Sequence, residues 1–265
     1  MRTLRLLVLF VIVLCASCNS AKAPDDAPHV LFVGNSLTYV GNTPAVFSAL
    51  SRSGNHPVVS EMIVEGGATL SQRLKDGSVA RALAARHYSA VILQERGGDL
   101  LCSFGPASCA ESGQAITAIA ALAKSSGAKV VLLGTYQSMP RASTALVESE
   151  SAAADEAGIA YVEISDKLQT LQKKLPEIQW FDADGMHPSS NLALLNAIAL
   201  FEALYNSPPP AKPLIVRAPI YGTTSGLTSD LKRADAPPPR ADTDLAISYR
   251  ADQIERIVAA IKSGS

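Results

Sequence analysis

Five short apolar runs, each followed by a longer amphipathic stretch, limit what this chain can fold into more than any other feature. The runs are His29–Val33, Val58–Val64, Ala90–Gln94, Lys129–Leu133 and Ala160–Ile164. The stretches between them predict helices over Pro44–Ser53, Leu70–Arg86 with a break near Gly77, Glu111–Ser125, Ser143–Ala157 and Asp166–Lys174, and another follows over Asn191–Tyr205. Strands that alternate with helices pair in parallel, because only a crossover returns the chain to the same end of the sheet. Right-handed crossovers send helices to both faces, so the expected class is α/β, a three-layer α/β/α sandwich. At 265 residues and 48% apolar content, the chain can fill one core of this kind.

The two ends read differently. MRTLRLLVLFVIVLCASCNS carries Arg2 and Arg5, then an apolar run, then small residues up to Cys18, the pattern of an export signal. The run is shorter than the ~20 apolar residues of a spanning helix. Cys15-Ala16-Ser17-Cys18 is similar to a bacterial lipoprotein cleavage box with Cys15 where Leu is usual, so Cys18 is the expected lipidation site and plain secretion the alternative. The expected location is therefore outer-membrane lipoprotein, periplasm or medium, with any membrane contact through the lipid. Residues 1–18 read as leader, 19–27 as linker and 28–206 as the sandwich. From 207 to 265, the prolines of SPPPAKP and ADAPPPRADTD exclude regular helix, and the segment reads as an extension packed along the domain that ends in a helix over Ser248–Ile261.

The formal net charge is -1 with no Lys/Arg block, which argues against nucleic acid as a partner. Apart from Cys15 and Cys18 the cysteines are Cys102 and Cys109, in LLCSFGPASCAES. In an oxidising exported setting they are expected to form a disulfide that stiffens a Gly/Pro/Ser loop, with two free thiols as the alternative. No His or third Cys lies nearby, so no metal site is expected.

Chemistry enters at HVLFVGNSLTYVGN, where an apolar strand runs straight into Gly34-Asn35-Ser36-Leu37. A serine on a tight turn at the carboxyl end of a buried strand is where an α/β enzyme can present a nucleophile. Ser36 could equally cap the next helix. A serine hydroxyl needs an imidazole base, and the base needs a carboxylate to fix its tautomer. WFDADGMHPSS offers both, His187 with Asp184 three residues before it and Asp182 as the competing carboxylate. His29, His56 and His87 read as structural or solvated.

With these blocks in view, the chain resembles the SGNH (GDSL-type) hydrolase superfamily. Gly34-Asn35-Ser36-Leu37 matches its first block and Asp184-Gly185-Met186-His187 its last, in the family's order, over roughly His29 to Tyr205. The resemblance implies a flavodoxin-like, five-stranded parallel sheet of order 2-1-3-4-5, with Ser36, His187 and Asp184 as catalytic triad and no cofactor or metal. It also implies an oxyanion hole built from the backbone N–H groups of Ser36 and of a second-block glycine, Gly67 in VEGGATL, with Gly66 the near alternative. The third block departs: the family has G-x-N-D, whose Asn donates to the oxyanion, and here VILQERGGDLL has no Asn. Gln94 carries the same amide and is the expected replacement, with Arg96 the runner-up, and Glu95 reads as a solvent-facing or network residue.

The resulting expectation is an exported serine esterase acting on short-chain acyl esters, including O-acetyl groups on carbohydrate, through an acyl-enzyme. If a sugar hydroxyl replaced water, it would act as an acyltransferase. The rival from another class is a non-catalytic glycan- or protein-binding surface lipoprotein, supported by the missing Asn. A flavodoxin-like cofactor binder is weaker, since the first loop has no phosphate-cradling Ser/Thr run.

Overall fold

In a computed structural model, which describes residues 26–241 and 243–262, five parallel strands form the centre of the molecule. They are β1 (His29–Gly34), β2 (Val59–Val64), β3 (Ala90–Leu93), β4 (Lys129–Leu133) and β5 (Ala160–Val162), in spatial order β5-β4-β3-β1-β2. Each pairing is in parallel register, as with Val33 opposite Ile63 on one side and Leu93 on the other. β1 is therefore central and buried along its length after His29, which is why it reads as an unbroken apolar run. The leader, linker and lipidation assignments lie almost wholly outside the described residues. No helix among the described residues is long and apolar enough to cross a membrane.

Helices cover both faces. On one side lie α3 (Leu70–Lys75), α4 (Ser78–Ala85), α5 (Pro106–Ser125) and α6 (Pro140–Ala157), whose buried residues join those of the sheet in one cluster. Gly77, at φ +71°, separates α3 from α4, the break expected there. On the other side lie α2 (Thr43–Ser53), α7 (Ser165–Lys174) and α8 (Ser190–Tyr205). Every residue of α8 from Leu192 to Phe201 is buried. A helix apolar all round needs cover on its outer side too, and the C-terminal region reaches its first turn, where Tyr249 and Gln253 donate to the Ser190 carbonyl and Asn191 Oδ1.

Three expectations are corrected, two of them in that region. The sheet is not five-stranded and wholly parallel: β7 (Lys232–Arg233) adds a sixth, antiparallel strand on the edge of β2. A two-residue pairing inside a Pro-rich stretch leaves no periodicity to read, yet it closes an otherwise open edge. The helix expected over Ser248–Ile261 begins later, as α9 (Ala251–Lys262), because Ile247–Tyr249 is a strand (β8) paired with β6 (Leu214–Val216). Third, Cys109 is not in a loop. α5 starts at Pro106, five residues before the expected Glu111, with the proline in the first turn where its missing N–H costs nothing. Cys102 and Cys109 are disulfide-bonded, with Cα atoms 4.7 Å apart.

Candidate active site

Ser36 stands at the carboxyl edge of the sheet, two residues beyond the central strand. It opens α1 (Ser36–Tyr39), a single turn whose preceding residue, Asn35, accepts the Leu37 N–H at 3.0 Å. Gly34 is required here, because a Cβ would fall 2.2 Å from Thr38 Oγ1. Thr38 sits so close because its hydroxyl donates to Gln94 Oε1 at 2.7 Å across the strand ends. After α1 the chain turns through Gly41 (φ +73°) and Asn42 (φ +53°). Asn42 is fully buried and caps α2 through Ala45 N–H, and its Nδ2 donates to the carbonyls of Pro219 and Ala234 at 2.7 and 2.9 Å. The extension is thus bonded to the segment that carries Ser36.

His187 arrives from a loop 151 residues away in sequence, and its Nε2 lies 3.0 Å from Ser36 Oγ. Its Nδ1 lies 2.6 Å from Asp184 Oδ2, while Asp184 Oδ1 accepts the N–H groups of Met186 and His187, each at 2.9 Å. Those backbone donors, ahead of His187 itself, hold the Asp184 carboxyl down at about 2. With an ionised carboxylate at Nδ1, the neutral ring carries its proton there and leaves Nε2 to accept from the serine. Asp182, the competing carboxylate, accepts from Ala183 N–H instead. His56 stacks on Tyr205 at 4.0 Å, His87 bonds the Ser126 carbonyl, and His29 joins Glu61 and Arg86, all remote in role from Ser36.

A cleft of about 510 Å³ opens over this array. Ser36, Gly67, Gly97 and His187 line it, with Arg96, Phe104, Tyr136 and Met186 among the remaining walls. Gly67 has φ +70° and no atom within 4 Å of where a Cβ would be, so its backbone is open to an incoming group. Gln94 does not meet the expectation placed on it. It is 1% exposed and absent from the cleft wall, with Oε1 taken by Thr38 and Nε2 donating to the Gly134 carbonyl at 3.2 Å. A side chain at the strand end points into the core here, and its amide braces β4 against α1. Arg96 does reach the cleft, but its guanidinium is bound twice by the fully buried Asp99, at 2.8 and 3.0 Å, and lies 3.7 Å over the Phe104 ring.

Two contributors, Tyr136 and Phe104, were missed in the sequence, and Glu95, read there as solvent-facing or network, is a network residue. Glu95 is 2% exposed and accepts Leu70 N–H at 3.1 Å and Arg96 N–H at 2.8 Å, and burial raises its carboxyl to about 7. Tyr136 donates to the Met186 carbonyl at 2.7 Å and so ties the loop of His187 to the end of β4. Phe104, 54% exposed, forms an apolar rim. Tyr136 had a legible signal, since it follows a predicted strand by three residues at the carboxyl edge where sites of this class form. Phe104 had none.

An α/β/α sandwich with serine, histidine and aspartate gathered at the carboxyl edge of a 2-1-3-4-5 sheet defines a class, the SGNH hydrolase fold. Solved structures agree. A Slackia heliotrinireducens protein described as an SGNH hydrolase matches at 22% identity and TM-score 0.54, over 68% of this chain and all of its own. An acetyl xylan esterase from Geobacillus stearothermophilus matches at 16% and 0.54, over 67% of this chain and 94% of its own. A DUF4886 family protein from Bacteroides uniformis matches at 14% and 0.56, over 90% of this chain and 95% of its own. A match of that extent necessarily takes in part of the region after residue 206. At these identities the likeness is one of fold. No family model and no curated protein matches the sequence.

Proposed function

We propose that this protein is a serine esterase of short-chain acyl esters, with O-acetylated carbohydrate as its substrate class. The observation that carries this reading is the unbroken chain of contacts from Ser36 through His187 to Asp184, 3.0 and 2.6 Å long, at the floor of an open cleft. In the proposed reaction His187 Nε2 takes the Ser36 proton as Oγ attacks the ester carbonyl, and the imidazolium is stabilised by Asp184. The N–H groups of Ser36 and Gly67 receive the oxyanion, and His187 returns the proton to the departing alcohol. Water, deprotonated by the same imidazole, then releases the acid. The cleft volume is in the range that encloses a small organic ligand, and its rim presents Phe104 and Met186, 54% and 62% exposed, as apolar platforms for a sugar face or a short acyl chain. The acetyl xylan esterase among the fold neighbours supports the same substrate class.

The test is hydrolysis of p-nitrophenyl acetate and butyrate, and acetate release from acetylated xylan, by the protein beside Ser36→Ala. The expected loss is on the order of a million-fold in kcat, to the level left by binding alone. Equal rates would remove Ser36 as nucleophile. Export and anchoring through lipidated Cys18 belong to the same proposal, and a Cys18→Ser chain should leave the detergent phase that its parent enters.

A further inference from the structure

Two glycine amides and one buried carboxylate around the cleft bear on the oxyanion donor that the sequence lacks. Ser36, Gly67 and Gly97 all line the cleft, and the backbone N–H of each has no hydrogen-bond partner among the described residues. The neighbours of Gly97 are engaged, Arg96 N–H by Glu95 and Asp99 N–H by the Arg96 carbonyl. Gly98, the next residue, is buried and off the cleft wall, whereas Gly97 is partly exposed on it. Gly97 also abuts the nucleophile's turn, since a Cβ on it would lie 3.5 Å from Leu37 Cδ1. Asn35 Nδ2 is the other unengaged donor beside Ser36, but it is sealed from solvent. It cannot meet an oxygen in the cleft without moving.

Resting on the esterase reading, we propose that the third oxyanion donor is the backbone N–H of Gly97, and that the Glu95 carboxylate is the positioning residue that aligns it with Gly67. One carboxylate holds both loops: it accepts Leu70 N–H, three residues after Gly67, and Arg96 N–H, one residue before Gly97. The donor is thereby moved from a side chain to the main chain, with a side-chain strut behind it. Backbone donors fixed in this way cost no reorganisation when charge develops on the carbonyl oxygen.

The experiment uses the protein labelled with 15N-glycine and treated with a trifluoromethyl ketone that forms a tetrahedral adduct on Ser36. The Gly97 resonance is identified by its absence in Gly97→Ala, which has ordinary contacts and no positive φ to oppose it. On adduct formation, the Gly97 amide proton is expected to move downfield together with that of Gly67. An adduct that shifts Gly67 and leaves Gly97 in place overturns the assignment, while failure to form any Ser36 adduct overturns the esterase reading itself. In kinetics, Gly97→Pro should lower kcat by about 100- to 1000-fold with little change in KM. Glu95→Ala should lower kcat about 10-fold or more at unchanged KM, and Glu95→Gln, which keeps the accepting oxygen, should recover most of it. Parent kcat in Glu95→Ala, or a loss shared equally with Glu95→Gln, would remove Glu95 as the positioning group.

Discussion

The two segments that meet at the serine are held in opposite ways. The nucleophile's segment, residues 34–42, is buried and bonded at long range: Thr38 to Gln94, Gly41 N–H to the Tyr221 carbonyl, Asn42 to Pro219 and Ala234. The histidine's loop is exposed from Ala183 to Met186 and largely self-contained, with Asp184 accepting two amides of its own turn and Asp182 N–H bonding the His187 carbonyl. Its main outside tie is the single bond from Tyr136. Defects in the first segment should therefore appear as lost stability, and defects in the second as lost chemistry.

The sharpest way to break this contrast is Asp184→Asn. The amide oxygen can still accept from Met186 and His187, so the turn should survive, but Nδ2 now faces His187 Nδ1 and forces the proton to Nε2. A fall in kcat of about 1,000- to 10,000-fold is expected, with the melting temperature unchanged. A large drop in melting temperature would show that the loop is not self-contained. Next, Asn42→Ala removes a helix cap, two buried hydrogen bonds and a residue suited to positive φ. Urea titration should show a loss of about 2–4 kcal/mol, while kcat per folded molecule stays near the parent value. Asn42→Gly should recover only the backbone part.

The smallest effect concerns charge. Asp184 is favoured as an ion, whereas burial raises Glu150, bonded by Thr135 and Tyr161 in the core, to about 7 from 4.5. A carboxyl whose folded pKa is raised favours the fold most while protonated, below its unfolded value near 4.5, and loses that contribution as pH rises to about 7. Glu150→Gln should flatten this decline in stability between pH 4.5 and 7. Asp184→Asn should leave the same window unaltered, since its depressed carboxyl loses protons only at lower pH. An equal effect from both variants would break the contrast.

How much of this was legible follows from the range of the forces involved. The five core strands could be read because burial on both faces writes an apolar run, and Ser36, Asp184 and His187, which the fold brings within hydrogen-bond reach, could be picked out because the proposed chemistry demands those residue types. Strand ends were read to within two residues. Gln94 was misread because sequence gives the amide but not its direction, and two ordinary hydrogen bonds turned it inward. Glu95, next to it, became the structural tie because its two partners are backbone N–H groups, which carry no sequence signature. β7 was invisible for a similar reason: two residues of main-chain pairing in a proline-rich stretch need no pattern.

The edge strand and α9 have a consequence for how the molecule is made. The outer side of α7 and the free edge of β2 are covered by the last sixth or so of the chain, through α9 and β7. As the chain leaves the ribosome, the sandwich therefore cannot finish folding when its own last helix appears. An open sheet edge and an uncovered side of α7 persist until β7 and α9 follow, an interval in which such surfaces invite aggregation. A stop at residue 206, the natural place to trim from sequence, would make that interval permanent.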